Sequence, residues 1–115
     1  MNIAVSVLRE LFRNLEAFRA FYETEQQDTI TSSDGQTYCL WDVEYLYSQI
    51  YRLSPRQREA IELCLLHNVK EKDAAIKMGV SPTNPVMMYA TDGLVRICAM
   101  IESGEISRYR EGVAA

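Results

Sequence analysis

Val69-Lys70-Glu71-Lys72-Asp73-Ala74-Ala75-Ile76-Lys77-Met78-Gly79-Val80-Ser81 is the stretch that decides the fold. It reads as a short helix from about Lys70 to Met78, in which Ala74 and Ala75 leave room for another helix to approach closely. Gly79 suits a left-handed turn residue, and Val80 then returns to the core. Ser81-Pro82-Thr83-Asn84-Pro85 follows with two prolines. A residue before proline is disfavoured in the helical region, so the last helix is expected to start at Pro85 with Asn84 as its cap. Its inner stripe is Ala90, Leu94, Ile97 and Ile101, and Ser103-Gly104 is a stop signal after about Glu102. Gly93 in mid-helix costs about 1 kcal/mol relative to alanine, a cost that close packing or a bend would explain. Short helix, glycine turn, longer helix is helix-turn-helix grammar.

Upstream, Ser54-Pro55-Arg56-Gln57 places serine at a cap, proline at the first helical position and glutamine three residues after the cap. That is the capping-box pattern, and proline loses nothing where its missing donor would be unpaired anyway. This helix buries Ala60, Ile61, Cys64 and Leu65 and ends near His67-Asn68, where asparagine tolerates a left-handed conformation. Before it, Val43, Leu46, Tyr47 and Ile50 share one helical face within residues 41–52. Residues 24–37 are polar, and Asp34-Gly35 is a turn signal that admits a small hairpin between Thr29-Ile30 and Tyr38-Cys39-Leu40. Such a hairpin is not stable alone.

At the start of the chain, Ala4, Leu8, Leu11, Leu15, Phe18 and Tyr22 recur at alternating steps of four and three, widened by Phe12 and Phe21. They predict one long amphipathic helix. Its stripe either packs on its own domain or, through Leu8, Leu11, Leu15, Phe18 and Tyr22, forms a dimer or partner interface. The expected class is all-α. Residues 1–23 form the N-terminal amphipathic helix, 24–40 a polar linker or small hairpin, 41–104 the helix-turn-helix domain and 105–115 a flexible tail.

Composition narrows the function. The chain has 115 residues, 48% of them apolar, and a net charge of −4. No apolar run approaches the ~18 residues of a membrane span, and no signal-peptide pattern opens the chain, so a cytoplasmic protein is expected. Cys39, Cys64 and Cys98 are scattered and fit reduced structural thiols. His67 is the one histidine, with no second ligand at metal spacing and no nucleophile motif nearby. No metal, no cofactor and no enzyme activity are expected. Residues 1–51 carry three bases against eight acids, residues 52–77 six bases against four acids, and residues 78–101 only Arg96 and Asp92. An acidic front half thus precedes a mildly basic middle.

Three pieces in order resemble a known family. Leu53-Ser54-Pro55-Arg56-Gln57-Arg58-Glu59-Ala60-Ile61 looks like the opening of region four of bacterial sigma factors and related regulators. Val69 to Ser81 is similar to that family's helix-turn-helix in size, spacing and glycine-apolar-serine turn. Gly93-Leu94-Val95-Arg96-Ile97 looks like its closing segment. The resemblance covers roughly residues 52–101. Ser81 to Pro85 with Met88-Tyr89-Ala90-Thr91 also looks like small helix-turn-helix proteins encoded by actinobacterial phages. This sequence departs from the sigma pattern by one extra residue between Ser81 and Gly93, and by having no base from Val80 to Val95.

The resemblance implies a sequence-specific transcription regulator that sets its last helix in the major groove of double-stranded DNA. Thr83, Asn84 and Thr91 can hydrogen-bond base edges there, and Met87 or Met88 can touch a thymine methyl. Phosphate anchoring would fall to Arg56, Arg58, Lys70, Lys72 and Lys77, with Arg96 as a sixth. The alternative is a protein-interaction module that binds RNA polymerase or a sigma factor, since an uncharged Met-Met patch suits a protein partner. A homodimer through the first helix fits either.

Overall fold

The computed structural model describes residues 3–81 and 85–106. Within them the elements run α1 (Val5–Arg13), α2 (Leu15–Glu25), β1 (Thr29–Thr31), β2 (Thr37–Cys39), α3 (Leu40–Ser48), a 3₁₀ turn (Gln49–Arg52), α4 (Pro55–Ile61), a π-helical turn (Glu62–Leu66), α5 (Glu71–Met78) and α6 (Val86–Ser103).

The N-terminal stripe behaves differently from the single helix it predicts. The helix breaks at Asn14, whose φ of −99° and ψ of 3° leave the helical region. The Asn14 backbone N–H and its side-chain Nδ2 both donate to the Glu10 carbonyl, at 3.1 and 2.9 Å. The bend lets α1 pack on α6 and the π turn while α2 packs on α3. Leu8, Leu11, Leu15 and Phe18 are buried in this chain's own core. The reading of these residues as a partner interface is therefore corrected, because their apolar surface is already covered. Tyr22 is half-buried and meets Trp41 edge-on, with ring centroids 5.1 Å apart.

The hairpin in the polar stretch is present. β1 and β2 pair antiparallel with Thr29 opposite Cys39, Ile30 opposite Tyr38 and Thr31 opposite Thr37. Gly35 takes the left-handed turn position at φ 82°. Two strands of this length need outside support. Glu10 of α1 supplies it, its carboxylate accepting from the Ser33 N–H at 3.1 Å and the Ser33 hydroxyl at 2.7 Å. Buried Tyr38 anchors the other side. Inside the turn, the Ser32 hydroxyl and the Gln36 N–H donate to Asp34 and hold its carboxyl below the usual range.

α3 continues the core through Val43 and Leu46, and the 3₁₀ turn adds Ile50. Arg19 of α2 clamps it in a two-pronged bond to Glu44, Nε to Oε2 at 2.7 Å and Nη2 to Oε1 at 2.6 Å. The Tyr47 ring packs edge-on against Phe12 at 5.2 Å, and burial pushes its phenol up to about 12.

Ser54 closes the expected capping box on α4. Its hydroxyl accepts from the Gln57 N–H while the Gln57 side chain accepts from the Ser54 N–H. The helix then widens: the His67 N–H reaches the Glu62 carbonyl at 3.0 Å, five residues back. The wider turn lets three successive residues, Cys64, Leu65 and Leu66, all point into the core. Asn68 takes the left-handed conformation expected of it, at φ 53°.

α6 begins one residue later than expected. Pro85 stays extended at φ −76° and ψ 90°, and Val86 is the first helical residue. The expected cap, Asn84, lies outside the described residues. The far end closes at Gly104, left-handed at φ 81°. Along its length α6 lies across α4, and Gly93 explains how closely. A Cβ there would stand 2.8 Å from Ile61 Cδ1, 3.0 Å from Leu53 Cδ1 and 3.4 Å from Gln57 Cβ. The buried apolar side chains form one continuous cluster from Ile3 to Ile106, so the N-terminal helices and the helix-turn-helix share a core.

Two stability measurements check this packing. Leu11→Ala is expected to lose about 2–5 kcal/mol in urea unfolding, the range for emptying a filled site; a small change would mean that the stripe faces outward. Gly93→Val should lose roughly 2–3 kcal/mol through overpacking at the crossing, and an unchanged midpoint would show that α4 and α6 can separate freely.

Candidate nucleic-acid interface

The helix-turn-helix is held at both ends. At the turn, Gly79 is left-handed at φ 69°, and the Val80 N–H returns to the Ala75 carbonyl at 3.0 Å. This arrangement satisfies a carbonyl that the helix end would otherwise leave open. Arg56 of α4 donates from Nη1 to the Met78 carbonyl at 3.2 Å, placing a fixed cation where the α5 dipole is negative. At the other end, the Glu71 carboxylate accepts from the Met87 N–H at 2.7 Å. Glu71 thus serves the start of α6 as a cap from a distant part of the chain. Buried Ala74 and Ala75 let α5 sit close beneath its neighbours.

These ties decide where the expected anchors stand. Lys70 and Lys72 flank Glu71 in the sequence, and both are exposed. Lys77 is exposed in the last turn of α5, and Arg56 reaches the same end of that helix. Lys70 and Lys77 line one shallow cleft with Asp73 and the exposed Ile76. Arg58 does not join this group. It lines a different hollow with Glu59 and Glu62, whose carboxylates disfavour a phosphate there.

The expected readers are divided. Thr83 and Asn84 lie outside the described residues. Thr91 is engaged inside the molecule, its hydroxyl accepting from Arg9 Nη2 at 2.8 Å. Met87 is half-buried against the core. Met88 is 58% exposed and, with Pro85, Tyr89 and Asp92, lines a hollow of about 160 Å³. Arg96 is exposed on the same helix. The stripe residues Leu8, Leu11, Leu15 and Phe18 lie in the core, and Tyr22 is half-buried against the exposed Trp41.

Arg9 and Glu71 matter to the site and carry no local signal in the sequence. Each acts on α6 from a segment distant in the chain, 82 and 16 residues away. His67 Nδ1 lies 3.1 Å from Glu16 Oε1 and ties the end of the π turn to α2. Burial pushes the Cys64 and Cys98 thiols up, which keeps both protonated and unreactive near neutrality. Among the described residues, no three His, Cys, Asp or Glu side chains gather to hold a metal ion. No described helix is long and apolar enough to cross a membrane.

Residues 44–84 match the family model described as sigma-70, region 4. The match takes in the end of α3, α4, α5 and the turn, and stops before the helix on which this sequence departs from the sigma pattern. No curated protein and no solved structure matches the chain. With the capped α4, the glycine turn and the docked α6 beside that match, residues 44–84 are similar to a sigma-70 region 4 helix-turn-helix.

Proposed function

We propose that the protein is a sequence-specific DNA-binding transcription regulator that seats its helix-turn-helix on double-stranded DNA. One observation carries this reading: a closed α5–Gly79–α6 unit whose α5 and turn lie in the segment that matches sigma-70 region 4, with exposed bases at both ends of α5. In such a unit the second helix enters the major groove and the first braces it over the backbone. Lys70, Lys72 and Lys77 then serve as phosphate anchors, and Arg56 positions the turn. Arg58 and Thr91 leave the contact set, because Glu59 and Glu62 flank the first and Arg9 holds the second. Base reading falls to Met88 in the first turn of α6 and to Thr83 and Asn84, which precede that helix in the sequence.

This allocation implies few phosphate contacts and modest affinity for random duplex. Each contact contributes about −0.9 to the log–log salt slope on B-form DNA. A second reading has one observation in its favour. The outer side of α6 presents Met88 and Val95 with no base in its first half, a surface that also suits RNA polymerase or a sigma factor. A cytoplasmic regulator, encoded by a phage genome, fits both readings.

Fluorescence anisotropy over a salt series separates them. Lys70→Gln and Lys72→Gln are each expected to weaken binding to all duplexes alike and to make the salt slope shallower by roughly one unit. Asn84→Ala should abolish preference among genomic fragments while leaving binding to random duplex and the circular dichroism spectrum unchanged. Absence of binding even at low salt would overturn the DNA reading. Capture of RNA polymerase that Met88→Asp abolishes would then support the second.

A further inference from the structure

The outward side of α6 carries a pattern that neither its packing nor its hydrogen bonds explain. Val86, Ala90, Leu94 and Ile97 are buried, which turns Met88, Asp92, Val95, Arg96 and Ala99 away from the core. Met88 and Val95 are about half exposed, at 58% and 49%. Asp92 and Arg96 are the only charges between residues 80 and 101. They stand one helical turn apart, and neither is paired with another described residue. A face with one acid, one base and apolar residues between and beyond them is complementary to itself when reversed.

We propose that this face is a self-association surface on which a second copy of the chain docks, with the two α6 helices antiparallel about a two-fold axis. The symmetry makes the contact isologous, so each pairing occurs twice. With the axis between residues 92 and 96, Asp92 meets Arg96 of the second copy, and Arg96 meets its Asp92. Met88 meets Ala99 of the second copy, a large side chain against a small one. Val95 packs beside its own counterpart near the axis. A parallel arrangement would instead set Asp92 against Asp92 and Arg96 against Arg96. Two stripes on single helices fall in the class of interfaces below about 1,200 Å², which are weak and transient. The association is accordingly concentration-dependent.

A regulatory consequence follows, and it rests on the DNA-binding reading. Met88 lies in the half of α6 assigned to the major groove, so the paired copy covers the reading surface. Self-association and DNA occupancy then exclude one another, and DNA competes with the second copy.

Sedimentation velocity of the full chain at rising concentration tests the surface itself. Wild type is expected to pass from monomer to dimer. Asp92→Arg and Arg96→Asp should each weaken self-association roughly tenfold or more, since reversal sets like charges opposite one another twice. An equimolar mixture of these two variants should recover the dimer, because opposite charges face again in the mixed pair. Unchanged circular dichroism keeps misfolding from passing as loss of contact. A chain that stays monomeric, a dimer indifferent to either reversal, or a mixture that fails to recover would each overturn the antiparallel surface. Random duplex added to the wild-type dimer should yield complexes of one chain per site. A DNA complex that retains the α6 pairing would overturn the exclusion. A dimer that binds no DNA would overturn the DNA reading and leave the surface standing.

Discussion

The close crossing of α6 over α4 at Gly93 is the constraint on which the rest of the structure depends. With no side chain at that point, the helices approach until Ile61 and Leu53 fill the space a Cβ would need. Glycine costs a helix about 1 kcal/mol relative to alanine, and the crossing offsets that cost by fully burying Ile61, Leu94 and Ile97. It also sets the height of α6 above α5. In this arrangement the Glu71 carboxylate accepts from the Met87 N–H, and the Thr91 hydroxyl accepts from Arg9 of α1. The geometry of the candidate interface is thus inherited from a packing contact on its far side.

The same crossing explains why the N-terminal helices are part of the core. α6 rests on α4 along one flank and is covered by α1 along another. Leu8, Leu11 and Phe12 fill the space between, so apolar surface that an isolated helix-turn-helix would expose is closed within the chain. The acidic front half therefore shares one core with the bases of α4 and α5. Its charge lowers the long-range attraction of the molecule for a polyanion.

Features written in adjacent residues were legible in the sequence. The Ser54–Gln57 box, the left-handed Asn68, Gly79 and Gly104, and the turn at Gly35 each follow from the chemistry of one or two neighbouring side chains. The hairpin was legible as a turn, but its stability was not, because the group that holds it, Glu10, belongs to another element. The break at Asn14 was hidden for a related reason. The apolar period runs through it without interruption, and the bend arises from docking on two surfaces at once. In the site, Lys70, Lys72 and Lys77 were legible as exposed bases. The engagement of Thr91 was not, since it depends on Arg9, a partner 82 residues away that the fold brings in.

The neutrality of α6 takes its meaning from the helices around it. On a helix that reads DNA, bases near the N-terminus shorten the approach to phosphate, and an acid in mid-helix opposes it. Here the bases have moved to the flanking α5, and Asp92 stands on the outer side of α6 with Arg96 one turn further on. Docking to DNA and docking to protein ask different things of such a helix. DNA asks for positive charge at the rim, which Lys70, Lys72 and Lys77 provide from outside α6. A protein face asks for apolar surface with few, matched charges, which α6 itself provides. On the proposed reading, separating the two demands onto neighbouring helices would let one small fold hold both surfaces, and their overlap at Met88 would make occupancy of one a brake on the other.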